Sequence, residues 1–157
     1  MSNRLIRLRP ISGSTSTPDA GMGGAQRFVL PITGLTDGAG VAVDRGDIVY
    51  VSDASKHVIF KYRLGAATSQ ILAGAYGVSG NADGQGAAAR FNTPTNLCVD
   101  RSGRLWIVDS GNALVRRMDE NGRVYTVAAI PAALPGDQIG GIAVDDSENI
   151  FLVDNTA

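Results

Sequence analysis

Cysteine and histidine are almost absent from this sequence. Cys98 is the single cysteine and His57 the single histidine among 157 residues. One cysteine excludes an internal disulfide framework and any multi-cysteine metal site. One histidine excludes a histidine-based zinc or iron centre within one chain. These absences remove several enzyme classes, and we expect no metal and no cofactor.

Long hydrophobic runs and an excess of one charge are missing as well. The longest apolar stretches, residues 48–51 and 128–134, are far shorter than the roughly 20 residues that cross a bilayer. No apolar segment follows Arg4, Arg7 and Arg9, so we expect no secretory signal and synthesis in the cytoplasm. The 14 basic and 15 acidic residues nearly cancel, which argues against a general nucleic-acid-binding surface.

Glycine, by contrast, is plentiful. The chain has 20 Gly and 6 Pro, yet its hydrophobic content of 44% is too high for a disordered chain. This composition disfavours a helical bundle and predicts many short strands joined by tight turns.

Three segments of the chain repeat one pattern, which is the main signal in the sequence. Each is a short apolar strand ending in an aspartate, with an aromatic residue six positions later and a second aspartate nine positions later. The repeated positions are Asp44, Tyr50 and Asp53, then Asp100, Trp106 and Asp109, then Asp145, Phe151 and Asp154. After the second aspartate, residues 57–63 and 113–118 are predicted as third strands, and residues 70–73 and 124–128 as fourth strands. Four antiparallel strands over about 45 residues is the size of one propeller blade.

These residues carry a family resemblance. Gly40-Val41-Ala42-Val43-Asp44, Tyr50-Val51-Ser52-Asp53 and His57-Val58-Ile59-Phe60-Lys61-Tyr62 together resemble an NHL repeat, as do residues 96–100, 105–109 and 112–118. Residues 81–94 are similar to the long connection between blades in bacterial NHL propellers. The resemblance extends over residues 35–157 and implies an all-β fold of four-stranded antiparallel propeller blades. It also implies a ring, usually of six blades, that works mainly as a binding or scaffolding surface.

The blade count falls short of a ring. We divide the chain into an N-terminal arm, residues 1–34, and blades at 35–73, 91–128 and, in part, 139–157. This gives two and a half to three blades, whereas closed propellers have about 4–8. Residues 4–9 and 26–32 are strand-like, so exchanged strands from the arm, or other chains, are expected to complete the ring. The alternative is that the chain is a piece of a longer propeller.

The candidate chemical groups all have a structural interpretation. Because the six aspartates recur in every blade, we expect them to accept backbone hydrogen bonds at turns and predict no catalytic residue. Asp83 beside Gly84 and Gly86 is expected to form a turn rather than a calcium loop. His57 is expected to pack or to make a surface hydrogen bond rather than act as a base, and Cys98 to be a small hydrophobe of the inner strand.

Two neighbouring arginines are also expected to have a structural role. Arg116 and Arg117 on a third strand are expected to solubilise an exposed edge rather than to bind nucleic acid.

The leading functional hypothesis is therefore a non-catalytic structural or interaction module. We expect its blades to assemble with copies of themselves or with partner subunits, without nucleic acid or membrane, and a virion or other large assembly is one such setting. Carbohydrate or peptide binding at the ring mouth stays open. The alternative is an enzyme or carbohydrate-binding propeller whose remaining blades lie on another chain.

Overall fold

The computed structural model describes residues 6–9, 26–132 and 139–155. These residues form β-strands and two single-turn 3-10 helices, Gly86–Ala88 and Ser110–Asn112. The strands are β1 (Ile6–Arg9), β2 (Gln26–Val29), β3 (Gly38–Val43), β4 (Ile48–Asp53), β5 (Val58–Arg63), β6 (Gln70–Ala73), β7 (Gly84–Gln85), β8 (Pro94–Val99), β9 (Leu105–Asp109), β10 (Leu114–Met118), β11 (Arg123–Ala129), β12 (Ile139–Val144) and β13 (Ile150–Asp154). Within the described ranges there is no helix of the length and apolar character needed to cross a membrane.

The strands form four antiparallel sheets in chain order. Strands β3-β4-β5-β6 make blade 1, and β8-β9-β10-β11 make blade 2, with β7 added outside β11. Strands β1-β2 and β12-β13 are separate two-stranded hairpins, which we call the N-hairpin and the C-hairpin. They do not pair with each other in the part of one chain that the structure describes.

The third strands begin one residue later than the sequence predicts. His57 and Ala113, expected as their first residues, have φ of +58° and +51° and so belong to the preceding turns. A left-handed residue cannot continue an extended strand, so β5 and β10 start at Val58 and Leu114. The short strand β7 lies within the connection at residues 81–94, where the sequence predicts no strand, and it pairs with β11.

Each blade has packed residues on both of its faces. We call the face turned toward the preceding blade the leading face and the opposite one the trailing face. The trailing face of blade 1, with Tyr50 and Ile59, packs on the leading face of blade 2, with Leu105 and Ile107. The trailing face of blade 2 packs in turn on the leading face of the C-hairpin, and this cluster includes the buried Trp106.

The leading face of blade 1 has no preceding blade. Its residues Val49, Val51 and Phe60 are instead covered by Leu30 and the residues just after it, which follow the N-hairpin. The hydrophobic effect thus stacks blade 1, blade 2 and the C-hairpin in a row.

Candidate functional site

The first aspartate of each repeat closes the turn between the two inner strands. Asp44 Oδ1 accepts hydrogen bonds from the amides of Gly46 at 2.8 Å and Ile48 at 2.9 Å. Asp100 and Asp145 accept the same two bonds, from the amides two and four residues further on. These bonds are those of an Asx turn, which satisfies the backbone at the strand exit.

The repeated aromatic residue anchors the second oxygen of this carboxylate in two of the three repeats. The Tyr50 hydroxyl donates to Asp44 Oδ2 at 3.1 Å, and Trp106 Nε1 donates to Asp100 Oδ2 at 2.9 Å. Burial, with the Asp44 carboxylate beside it, raises the pKa of Tyr50 to about 12. Phe151 has no polar donor, so the third repeat lacks the hydrogen bond from the aromatic side chain to the first aspartate.

The second aspartate of each complete blade fastens the incoming chain to the end of the second strand. Asp53 and Asp109 are both fully buried. Asp53 Oδ2 accepts the amide of Thr36 at 2.6 Å, and Asp109 Oδ1 accepts the amide of Asn92 at 2.7 Å. Both donors lie 17 residues upstream of their aspartate. Asp154 holds the equivalent position at the end of β13, where it is exposed.

The prediction that Arg116 solubilises an exposed edge is wrong, because the residue is fully buried. Its side chain is 0% exposed, and its Nη1 donates to Asp109 Oδ2 at 2.9 Å. Nη2 donates to Asp83 Oδ1 at 2.8 Å and to the carbonyl oxygen of Ala82 at 3.0 Å. The β9–β10 register sets Arg116 opposite Ile107, on the face that the connection from blade 1 covers. The sequence indicates a connection between blades at residues 81–94 but not that it covers Arg116, so sequence reasoning missed this cluster.

Asp83 is part of the same cluster. Its carboxylate also accepts a hydrogen bond from Thr126 Oγ1 at 2.8 Å. Burial tends to raise its pKa, but the bonds from Thr126 and Arg116 outweigh this and lower it. The described residues contain no group of three or more side chains suited to hold a metal ion.

His57 and Cys98 also lie in structural surroundings. His57 Nδ1 accepts a hydrogen bond from the amide of Thr93 at 3.0 Å, which ties blade 1 to the start of blade 2. Cys98 is half-buried on β8, and burial together with the charge of Asp100 raises its pKa to about 11. A thiol with that pKa is a poor nucleophile at neutral pH.

Two apolar faces remain open at the ends of the stack. On the trailing side of the C-hairpin, Phe151 is 60% and Val153 56% exposed. Their counterparts in blade 2, Trp106 and Val108, are both 0% exposed. We call this surface the trailing end face.

The opposite end is open at its inner edge. On the leading side of blade 1, Val41 is 51% and Val43 55% exposed, whereas the counterpart of Val41 in blade 2, Leu97, is 9% exposed. We call Val41 and Val43 the leading end face. The two end faces correspond to the two sides of the contact between blade 1 and blade 2 inside the chain.

Comparisons with known proteins place the fold in the β-propeller class. The chain resembles an auxiliary nutrient binding protein from Bacteroides thetaiotaomicron with a TM-score of 0.62 and 19% identity, over 73% of this chain and 34% of that one. It resembles a virginiamycin B lyase from Staphylococcus aureus with a TM-score of 0.57 and 15% identity, over 80% of this chain and 38% of that one. Both are propeller-type folds, so the all-β propeller expected from the sequence is confirmed. At these identities the likeness concerns the fold alone.

The sequence comparison matches a smaller part of the chain than the structural comparison does. No family model matches it. The chloroplastic protein SUPPRESSOR OF QUENCHING 1 of Arabidopsis thaliana is 35% identical over 75 residues, which is 46% of this chain and 7% of that protein. The chain spans about a third of the length of the solved structures above and a small part of the plant protein.

Proposed function

We propose that this protein is a non-catalytic interaction module made of NHL-like propeller blades, which other protein subunits complete. The observation that carries the proposal is the pair of open end faces. Phe151 and Val153 occupy positions that are fully buried one blade earlier, so the surface is shaped to receive another blade. Covering the four half-exposed side chains of the two end faces is worth about 1 kcal/mol each.

The surroundings of the chemical groups support a role without catalysis. Asp44, Asp100 and Asp145 make the same turn in every repeat. A catalytic group is expected to depart from a repeat, since it must be singular in its geometry. His57 and Arg116 also differ between the blades, and both bond to neighbouring chain segments that they hold in place. The comparisons lend no support to a virion role, and the proposal does not include one.

The test is the mass in solution of the 157-residue chain, measured by light scattering. We expect a folded particle heavier than the 16.3 kDa of one chain. The double variant Phe151→Asp, Val153→Asp should return the mass to that of one chain, because it places charge on the trailing end face. Val78→Asp is the matched control, since Val78 is 50% exposed but lies in the connection between the blades.

A wild-type chain that stays a folded, monodisperse monomer would overturn the proposal. So would an equal loss of mass in the control variant.

A further inference from the structure

We propose that a basic pocket on blade 1 binds a small carboxylic acid that carries hydroxyl groups, such as a sugar acid. The pocket is a cavity of about 310 Å³ at the outer strands β5 and β6 and the turn that joins them. Ligand sites enclose roughly 300–1,000 Å³, so a cavity of this size suits a small molecule. The inference concerns a ligand of blade 1 and does not depend on association with other subunits.

The register of the sheet brings two cations to one side of this pocket. In the pairing of β4 with β5, Lys61 lies opposite Tyr50 and Arg63 opposite Ile48, so both cations share the trailing face of blade 1. Arg63 Nη1 donates a hydrogen bond to the carbonyl oxygen of Gly46 at 3.4 Å. Among the residues that the structure describes, no carboxylate forms an ion pair with either cation.

The contact between blade 2 and the C-hairpin shows what neutralises the same position one blade later. Arg117 is the counterpart of Lys61, since each lies opposite the repeated aromatic residue of its own blade. Glu148, in the turn between β12 and β13, pairs with Arg117 at 3.2 Å and with Arg104 at 2.5 Å. A carboxylate from the next unit of the stack therefore occupies this place.

Blade 2 has no carboxylate at the position that corresponds to Glu148. Gly103 follows Asp100 by three residues, as Glu148 follows Asp145, and both have a positive φ, of 80° and 62°. A Cβ atom built on Gly103 would meet no atom within 4 Å, so the space beside it is open. The two cations of blade 1 thus lack the acidic partner that the repeat supplies one blade later, and a carboxylate from a ligand can take its place.

Two carboxylates close to the pocket interact with Tyr50. Burial, then the charge and hydrogen bond of Asp44, and last the charge of Glu120 raise the pKa of Tyr50. Neither carboxylate forms an ion pair with Lys61 or Arg63. Their positive charge is therefore still available to an anionic ligand.

The rest of the lining supplies hydrogen-bonding groups and an apolar wall. Thr68 and Ser69 contribute hydroxyl groups, Gln70 contributes an amide, and Ile48 and Ala66 contribute apolar atoms. The three polar side chains make no hydrogen bond within the described part of the chain. Hydroxyls and amides both donate and accept, so they suit the hydroxyl groups of a ligand whose carboxylate pairs with the cations.

Calorimetric titration of the 157-residue chain with galacturonate, and with galactose as the neutral ligand of the same ring, tests the assignment. We expect galacturonate to bind about tenfold more tightly, because only its carboxylate makes charge-assisted hydrogen bonds. Equal affinities, or no binding of galacturonate to the folded chain, would overturn the inference. Galactose 6-phosphate carries a phosphate in place of the carboxylate, and if it binds more tightly than galacturonate, the assignment to a carboxylate is wrong.

The repeat itself provides a variant that should close the site. Gly103→Glu sets a carboxylate at the position of Glu148, so it should compete with the ligand and weaken galacturonate binding about tenfold. Gly103→Gln is the matched control, because it has the same size and the same positive φ but no charge, and it should keep the wild-type affinity. An equal effect of the two variants would contradict the inference.

A second pair of variants tests the cation directly. Lys61→Gln should weaken galacturonate binding about tenfold, because it removes one charge from the pocket. Lys56→Gln is its control, since Lys56 lies in the turn at the other end of β5, with its Nζ 5.3 Å from the centre of the Tyr76 ring. Unchanged binding in folded Lys61→Gln, or the same loss in Lys56→Gln, would count against the pocket.

Discussion

Replacement of Arg116 by methionine would take the counter-charge away from a carboxylate that is entirely buried. The guanidinium donates to Asp109 Oδ2 at 2.9 Å, and both side chains are 0% exposed. Without it Asp109 keeps the donors of Asn92 and Asn112 but no positive charge. Breaking a buried pair in this way costs about 3–5 kcal/mol. Arg116 Nε has no hydrogen-bond partner, so methionine also relieves one cost of burying the guanidinium. We therefore expect the free energy of unfolding to fall by about 3 kcal/mol, the lower end of that range.

Trp106 provides the assay, because it is the single tryptophan and is 0% exposed. Its fluorescence should follow denaturant unfolding, at one fixed protein concentration because the association that we propose would add to the stability. Arg117→Met is the matched control on the same strand. Arg117 is 29% exposed and pairs at 3.2 Å with Glu148, which is 43% exposed. Such surface pairs are worth about 0–1 kcal/mol. If the two variants lose the same stability, the reasoning about Arg116 is refuted.

The loss of unfolding free energy caused by Arg116→Met should also be smaller at acidic pH. Burial raises the pKa of Asp109, while hydrogen bonds from Asn112 and Asn92 and the charge of Arg116 act to lower it. Removing Arg116 raises the pKa further, so the folded variant takes up a proton sooner as the pH falls. The difference in unfolding free energy between the wild type and the variant is therefore largest above the pKa of Asp109 in the folded variant. It decreases as the pH falls through that pKa. If this difference in unfolding free energy stays constant from about pH 7 to about pH 4, near the ordinary pKa of Asp, the account is contradicted.

Two further predictions concern Asp100 and Cys98. Burial tends to raise the pKa of Asp100, but hydrogen bonds from Trp106 and Arg104 outweigh this and lower it. Asp100 therefore stabilises the fold above its unfolded pKa of about 3.9, and this is lost as the pH falls through the lower folded value. Asp100→Asn should flatten the acid side of the profile of melting temperature against pH, and an unchanged profile would speak against this. For Cys98, a pKa of about 11 leaves a thiolate fraction about 200-fold smaller at pH 8 than a pKa of about 8.5 would. A thiol reagent should thus label the native protein far more slowly than the denatured one, and similar rates would contradict the burial.

The turn contacts of the repeat were readable from the sequence because they are local. Asp44 bonds to amides two and four residues away, and the same spacing recurs at Asp100 and Asp145. The strands between these turns were equally readable from their short apolar and aromatic runs. Strand β7 was not, since its two residues, Gly84 and Gln85, have no periodicity of their own and become a strand by pairing with β11.

The sequence by itself determined the repeat and the all-β class, because both depend on bonds and patterns within one blade. The tertiary structure alone decided which repeated positions are buried. Arg116 and Arg117 are neighbours of the same type, yet one is fully buried beneath the connection from blade 1 and the other is partly exposed. Trp106 and Phe151 hold the same position in the repeat, yet one is 0% and the other 60% exposed. The physical reason is that burial depends on what packs against a face, and that neighbour lies far away in the chain or, as we propose, in another protein subunit.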